Sequence, residues 1–178
     1  MTKTSPAPFK PSWFRKTFGY GLIGIGCFSI LVLDRTDIVM NATHSLHEPA
    51  FLMVDTPILL TRGSVVASEM PEVLKETFGE FTFVKRIGGL PGDEITLDES
   101  GNPCIQEVCF PPFLKDGKPV GALIEAGFIP EGHYALFGTE PDSLDSRYQA
   151  IGFVPHEKLV GRGWALPMMP DWREAKSR

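Results

Sequence analysis

Thr17 to Leu33 contains no charged residue, and a chain with such a run has few ways to bury it. As a helix its 17 residues would be about 26 Å long, just enough to span the hydrocarbon core of a bilayer. The run has no polar face, which disfavours a helix lying on a soluble core. Trp13, Phe14, Phe18 and Tyr20 lie near its start, where aromatic rings favour the membrane interface. Lys3, Lys10, Arg15 and Lys16 precede it with no acid, so residues 1–16 are expected in the cytoplasm. The following DRTDIVMNA offers no small-x-small cleavage site beside the run. An uncleaved signal anchor over 17–33 is therefore expected, with residues 34–178 outside the inner membrane as a single-pass protein.

Charge narrows the partners. The net charge is −5, and removing the +4 of the N-terminal segment leaves −9 on the rest. An acidic main domain excludes nucleic acid as the expected partner and leaves the lipid bilayer as one. Gly 18 and Pro 16 suit a turn-rich β domain. Short β-branched and aromatic stretches between turns, such as FTFVKRI and HYALFG, predict strands. RGSVVAS reads as a turn into a buried strand, and Val54 to Leu60, with Pro57 inside, as an edge strand at most. PEVLKETFGE, Pro71 to Glu80, is the one short helix expected beyond the anchor, and Lys115 to Gly127 reads as loop. The expected fold is mainly β and barrel-like, with a small inserted subdomain over about 94–128.

Cys104 and Cys109 are spaced as CIQEVC, and in an oxidising compartment they can close a hairpin as a disulfide; two free thiols are the alternative. Cys27 lies in the apolar run. No further ligand stands at metal spacing, so neither metal nor cofactor is expected.

Three separated pieces carry chemistry. NATHSL, Asn41 to Leu46, places Thr43 and Ser45 in a polar loop. FVKRIGGLPGDEI, Phe83 to Ile95, puts Lys85 on an apolar strand before a turn built from Gly88, Gly89, Pro91, Gly92 and Asp93. SLDSRY, Ser143 to Tyr148, gathers a hydroxyl, an acid and an arginine. Serine becomes a nucleophile when a base takes its proton, and a lysine kept neutral by apolar burial can be that base. His44 and His47 flank Ser45 but stand too close in sequence to serve it as a base, and His133 and His156 read as surface turn residues.

FVKRIGGLPGDEI resembles the lysine motif of the type I signal peptidases. SLDSRYQAIGFVPHEKLVGRGWAL resembles that family's last motif, IPEGHYALFG the segment before it, and RGSVVAS the strand usually written R-G-D-x-V. The resemblance runs from Asn41 to Ala165, and N-A-T-H-S-L is most similar to the conjugative-transfer, TraF-type branch. It implies a coiled β-sheet catalytic domain behind one transmembrane helix, and serine endopeptidase activity without a cofactor. It implies Ser45 as nucleophile and Lys85 as general base. Thr43 would assist the oxyanion hole, Ser143 would orient the lysine, and Asp145 and Arg147 would support the site. The implied partner is an exported precursor, pilin-like, with small residues before the cut, in a secretion or conjugation complex.

Three departures stand against the family pattern. The proline after the serine is delayed to Pro49 in SLHEP, Gly138-Thr139-Glu140 replaces Gly-Asp-Asn, and Ser64 stands where aspartate is usual. A non-catalytic periplasmic assembly factor with the same fold is the alternative, and the altered SLHEP loop is its support.

Overall fold

A computed structural model describes residues 20–21, 24–27, 29, 33–41, 45–55 and 59–167. The chain divides into two units, Met1–Thr36 and Asp37–Arg178. In the first, the described residues between Tyr20 and Leu33 are helical and exposed. Among the described residues no helix is long and apolar enough to cross a membrane. Much of the expected 17–33 anchor lies outside the described residues.

The second unit is mainly β. Its largest sheet has seven strands: β1 (Thr36–Met40), β2 (Ala50–Asp55), β3 (Val65–Ser68), β4 (Phe83–Gly89), β11 (His133–Phe137), β12 (Val154–Pro155) and β13 (Leu159–Ala165). They lie in the order β1-β2-β13-β3-β4-β11-β12. A smaller sheet orders β10 (Gly127–Phe128), β5 (Glu94–Leu97), β6 (Pro103–Ile105) and β7 (Val108–Cys109). β8 (Leu114–Lys115) and β9 (Lys118–Pro119) form a separate hairpin that overlaps the start of the stretch expected as loop, Lys115 to Gly127. The one described α-helix beyond the N-terminal unit, α1 (Glu72–Phe78), begins after Pro71 and ends at Gly79, whose φ of 75° suits glycine.

Alternation along the central strands fixes which residues meet. Lys85 pairs with Val66 and Val84 with Ala67 across β4 and β3, so the two pairs face opposite sides of the sheet. One side packs Leu46, Phe51, Met53, Val65, Ala67 and Val84. A second cluster gathers Val66, Ile87, Leu136, Val154 and Leu159. A third, with Ile95, Ile105, Ile129 and Phe137, packs the small sheet onto β11. Each such fully buried aliphatic side chain contributes about 1.5–3 kcal/mol of transfer free energy.

Two further sequence expectations need correction. The strand expected over Val54 to Leu60 runs instead over Ala50–Asp55, and it lies between β1 and β13 rather than at an edge. Gly88 and Gly89 belong to β4, and the turn is Leu90 to Asp93, closed by Asp93 N–H on the Leu90 carbonyl at 3.0 Å. The two glycines serve packing. A Cβ on Gly89 would meet Ile129 and Ile105, and one on Gly88 would meet Phe137. Gly92, at φ 82°, is the turn's conformational glycine.

Arg62 ties this turn to the loop before β3. Its guanidinium donates to the Gly88 carbonyl and to Asp93 Oδ2, the latter at 2.6 Å. Ser64, where aspartate was expected, takes a local role: its hydroxyl bonds Thr61 Oγ1 at 3.0 Å and closes the preceding turn.

Candidate active site

β4 carries Lys85 into the protein with only 4% of its surface exposed. Its amine pKa is pushed down from 10.5 to about 8, chiefly because burial disfavours the ammonium. Arg147 pushes the same way, while Asp145 and Asp142 oppose it. The amine lies 4.8 Å from the centre of the Phe83 ring. An apolar strand thus delivers an amine that is partly neutral near physiological pH.

Ser45 is held by the loop from Asn41 to Pro49. The Asn41 side chain donates to the Leu46 carbonyl at 2.9 Å and to the Glu48 carbonyl at 3.1 Å. The Asn41 N–H donates to the Pro49 carbonyl at 2.8 Å, closing the loop, and Leu46 anchors it in the core. The Ser45 carbonyl accepts from Thr139 N–H at 2.8 Å. His47 N–H donates to Thr139 Oγ1 at 3.1 Å, and the His47 ring meets Glu140 Oε1 at 3.3 Å. Two departures from the family pattern, SLHEP and Gly-Thr-Glu, are therefore in contact with each other. His47 is turned to this contact on the exposed surface. Thr43 and His44 lie outside the described residues.

SLDSRY forms the third wall. Asp145 is fully buried and accepts both prongs of Arg147, Nε at 2.8 Å and Nη2 at 2.9 Å. Asp145 Oδ2 also accepts Gly138 N–H at 2.8 Å. Arg147 Nη1 donates to the Pro111 carbonyl at 2.7 Å and the Pro141 carbonyl at 3.1 Å. This bidentate geometry, with further bonds from the guanidinium and to the carboxylate, suits a buried ion pair. Ser143 is buried, and its Oγ has no hydrogen-bond partner among the described residues.

Ser45, Lys85 and Ser143 line one cleft of about 430 Å³. Its walls are otherwise largely apolar: Val39 and Met40 of β1, Leu74 and Phe78 of α1, Phe81, Phe83 and Leu144. A hydroxyl, a partly neutral amine and a second, unpartnered hydroxyl in one apolar cleft can perform nucleophilic acyl transfer. The acidic and sulfur groups elsewhere offer less. Asp98, Cys104 and Cys109 lie together, but the two cysteines are joined as a disulfide, and Asp98 already accepts from Ser100 N–H and Asn102.

Asn41 and Gly138 carry no signal in the sequence that marks them as supports of the site. A Cβ at Gly138 would fall 2.5 Å from Ser143 Cβ and 2.6 Å from the Ser45 carbonyl oxygen. Gly138→Ala must therefore push the serine loop and the Ser143 loop apart. The expected result is a fall in turnover of about 100-fold, since a displacement of about 1 Å suffices for that. Steady-state kinetics beside a thermal melt would check it; unchanged kinetics would refute it.

The signal peptidase, peptidase S26 family pattern matches residues 12–166. Over 118 residues the chain is 34% identical to a probable signal peptidase I-2 of Synechocystis sp. (strain ATCC 27184 / PCC 6803 / Kazusa), covering 60% of this chain and 49% of that protein. The chain thus spans about half the length of that curated relative. It also superposes on the crystal structure of a signal peptidase I from Enterococcus faecalis V583, with TM-score 0.39 and 20% identity, over 60% of this chain and 98% of the other. The span of the family match includes the serine loop, the lysine strand and the SLDSRY segment, and the chain belongs to the signal peptidase, peptidase S26 family.

Proposed function

We propose that this protein is a membrane-anchored serine endopeptidase that removes signal or leader peptides from exported precursors. The observation that carries the reading is the buried Lys85 amine, pushed down to about 8, in the same cleft as Ser45. Neutral Lys85 takes the Ser45 proton as Oγ attacks the scissile carbonyl. The resulting ammonium protonates the departing amine, and water then releases the acyl group from Ser45. Ser143 Oγ orients Lys85 Nζ. The Ser45 N–H, with Thr43, stabilises the oxyanion. Asp145 and Arg147 hold the Ser143 loop. No cofactor is needed.

The substrate lies along the cleft as an added strand, where β1 forms the outer edge of the sheet. The catalytic unit stands outside the cytoplasmic membrane, with residues 17–33 as its single span and the basic segment 1–16 inside. The N-A-T-H-S-L loop supports a finer reading, maturation of a conjugative pilin subunit within a transfer complex, with the ester resolved by water or by an internal amine. A non-catalytic scaffold gains nothing from burying an amine at the expense of stability, which disfavours the assembly-factor alternative.

The test is cleavage of a pilin-type precursor by the membrane-inserted full chain and by Ser45→Ala, read by N-terminal sequencing of the product. The wild type is expected to cut at one site and the variant to leave the precursor intact. Equal processing by both would sink the reading.

A further inference from the structure

The disulfide-closed hairpin lies in the small sheet, yet the chain leaving it runs straight to the site. Cys104 and Cys109 pair directly across β6 and β7 and are joined by the disulfide. The hairpin turn puts Gln106 and Glu107 at φ 47° and 68°, conformations that non-glycine residues disfavour. Strands of three and two residues closing such a turn are marginal without a covalent link. Three contacts follow Cys109 within four residues. The Phe110 ring stacks on Phe137, with centroids 3.6 Å apart and planes 9° from parallel. The Pro111 carbonyl accepts Arg147 Nη1 at 2.7 Å. Phe113 N–H donates to the Tyr148 hydroxyl at 3.0 Å. Phe137 immediately precedes Gly138, and Tyr148 immediately follows Arg147.

We propose that the Cys104–Cys109 hairpin and Phe110 to Phe113 form a strut whose function is to position the Arg147 guanidinium on Asp145. Phe110 is then a positioning residue that acts through Arg147. The inference rests on the peptidase reading for the meaning of Lys85, but its mechanism is electrostatic and local. The charged groups acting on Lys85 are Asp145, Asp142 and Arg147. When the strut holds, Arg147 neutralises Asp145. When it loosens, the Asp145 charge is less compensated, and the Lys85 ammonium is favoured.

The test follows the Lys85 side chain by carbon-13 NMR through a pH titration of the full chain in detergent, its signal assigned by its loss in Lys85→Met. Phe110→Leu keeps apolar volume without the flat stack, and Phe110→Tyr keeps the ring. The leucine variant is expected to titrate about half to one pH unit above the wild type, and the tyrosine variant with the wild type. Dithiothreitol, which gives two thiols here and becomes a cyclic disulfide, should raise the wild-type midpoint in the same direction. Its arm needs no variant to fold. Midpoints unmoved in both the leucine variant and the reduced protein would overturn the strut. The titration uses no substrate, so failure to cleave precursor would count against the peptidase reading alone.

Discussion

Lys85→Met is expected to abolish precursor cleavage while making the protein more stable. Loss of a nucleophile's base lowers turnover by about 10⁴-fold or more. The stability gain follows from linkage. The folded pKa is about 8 against an ordinary 10.5, so the folded state binds this proton less tightly than the unfolded chain. Below about pH 8 both states are charged, and the full cost of burying the ammonium is present. Between about 8 and 10.5 the unfolded state binds more protons, and stability rises with pH. Above that window the cost is gone. A displacement of this size corresponds to about 3 kcal/mol, an upper figure for the gain at pH 7. Methionine fills similar volume without charge. Urea unfolding at pH 7 and at pH 10.5 would check the claim, because the advantage over wild type should shrink at the higher pH. A destabilised variant would show that Lys85 holds the fold rather than the chemistry.

Arg147→Ala is expected to be the most destabilising single change at the site. It leaves the fully buried Asp145 carboxylate with only the N–H groups of Gly138 and residue 147 as donors. Removing one partner of a buried ion pair destabilises by about 3–5 kcal/mol. The carbonyls of Pro111 and Pro141 lose their donor as well. Arg147→Lys should recover little, since an ammonium cannot reproduce the two-pronged fork and the Nη1 bonds together. Chemical denaturation is the direct measurement. A loss below about 1 kcal/mol would mean that Asp145 is not charged and dry as placed here.

The polar residues that line the cleft were more legible in the sequence than the residues that hold them in place. Lys85 was legible because a cation after FTFV, before a glycine turn, stands out against its apolar neighbours. Ser143, Asp145 and Arg147 were legible as a close group of polar residues. Gly88 and Gly89 read as turn residues because glycine signals turns, yet their role is the missing Cβ against Phe137 and Ile129. Pro57 marks the region after β2 rather than its interior, so that strand was placed too late. Asn41 acts by donating to the backbone carbonyls of Leu46, Glu48 and Pro49, and Pro111 by its own carbonyl. Pro111 meets Arg147 from 36 residues away, and no local pattern reports such a bond. The contact of His47 with Thr139 and Glu140 likewise joins two loops that each look like an unrelated departure when read alone.

The central claim is that Lys85 must be neutral to activate Ser45. It is tested most directly by kcat/KM for a precursor peptide between pH 6 and pH 10. The expected profile rises about tenfold per pH unit at the acid end and levels off above about pH 8, where the Lys85 amine is largely neutral. A profile flat from pH 6 to pH 8 would contradict the claim, because the ammonium cannot accept the serine proton.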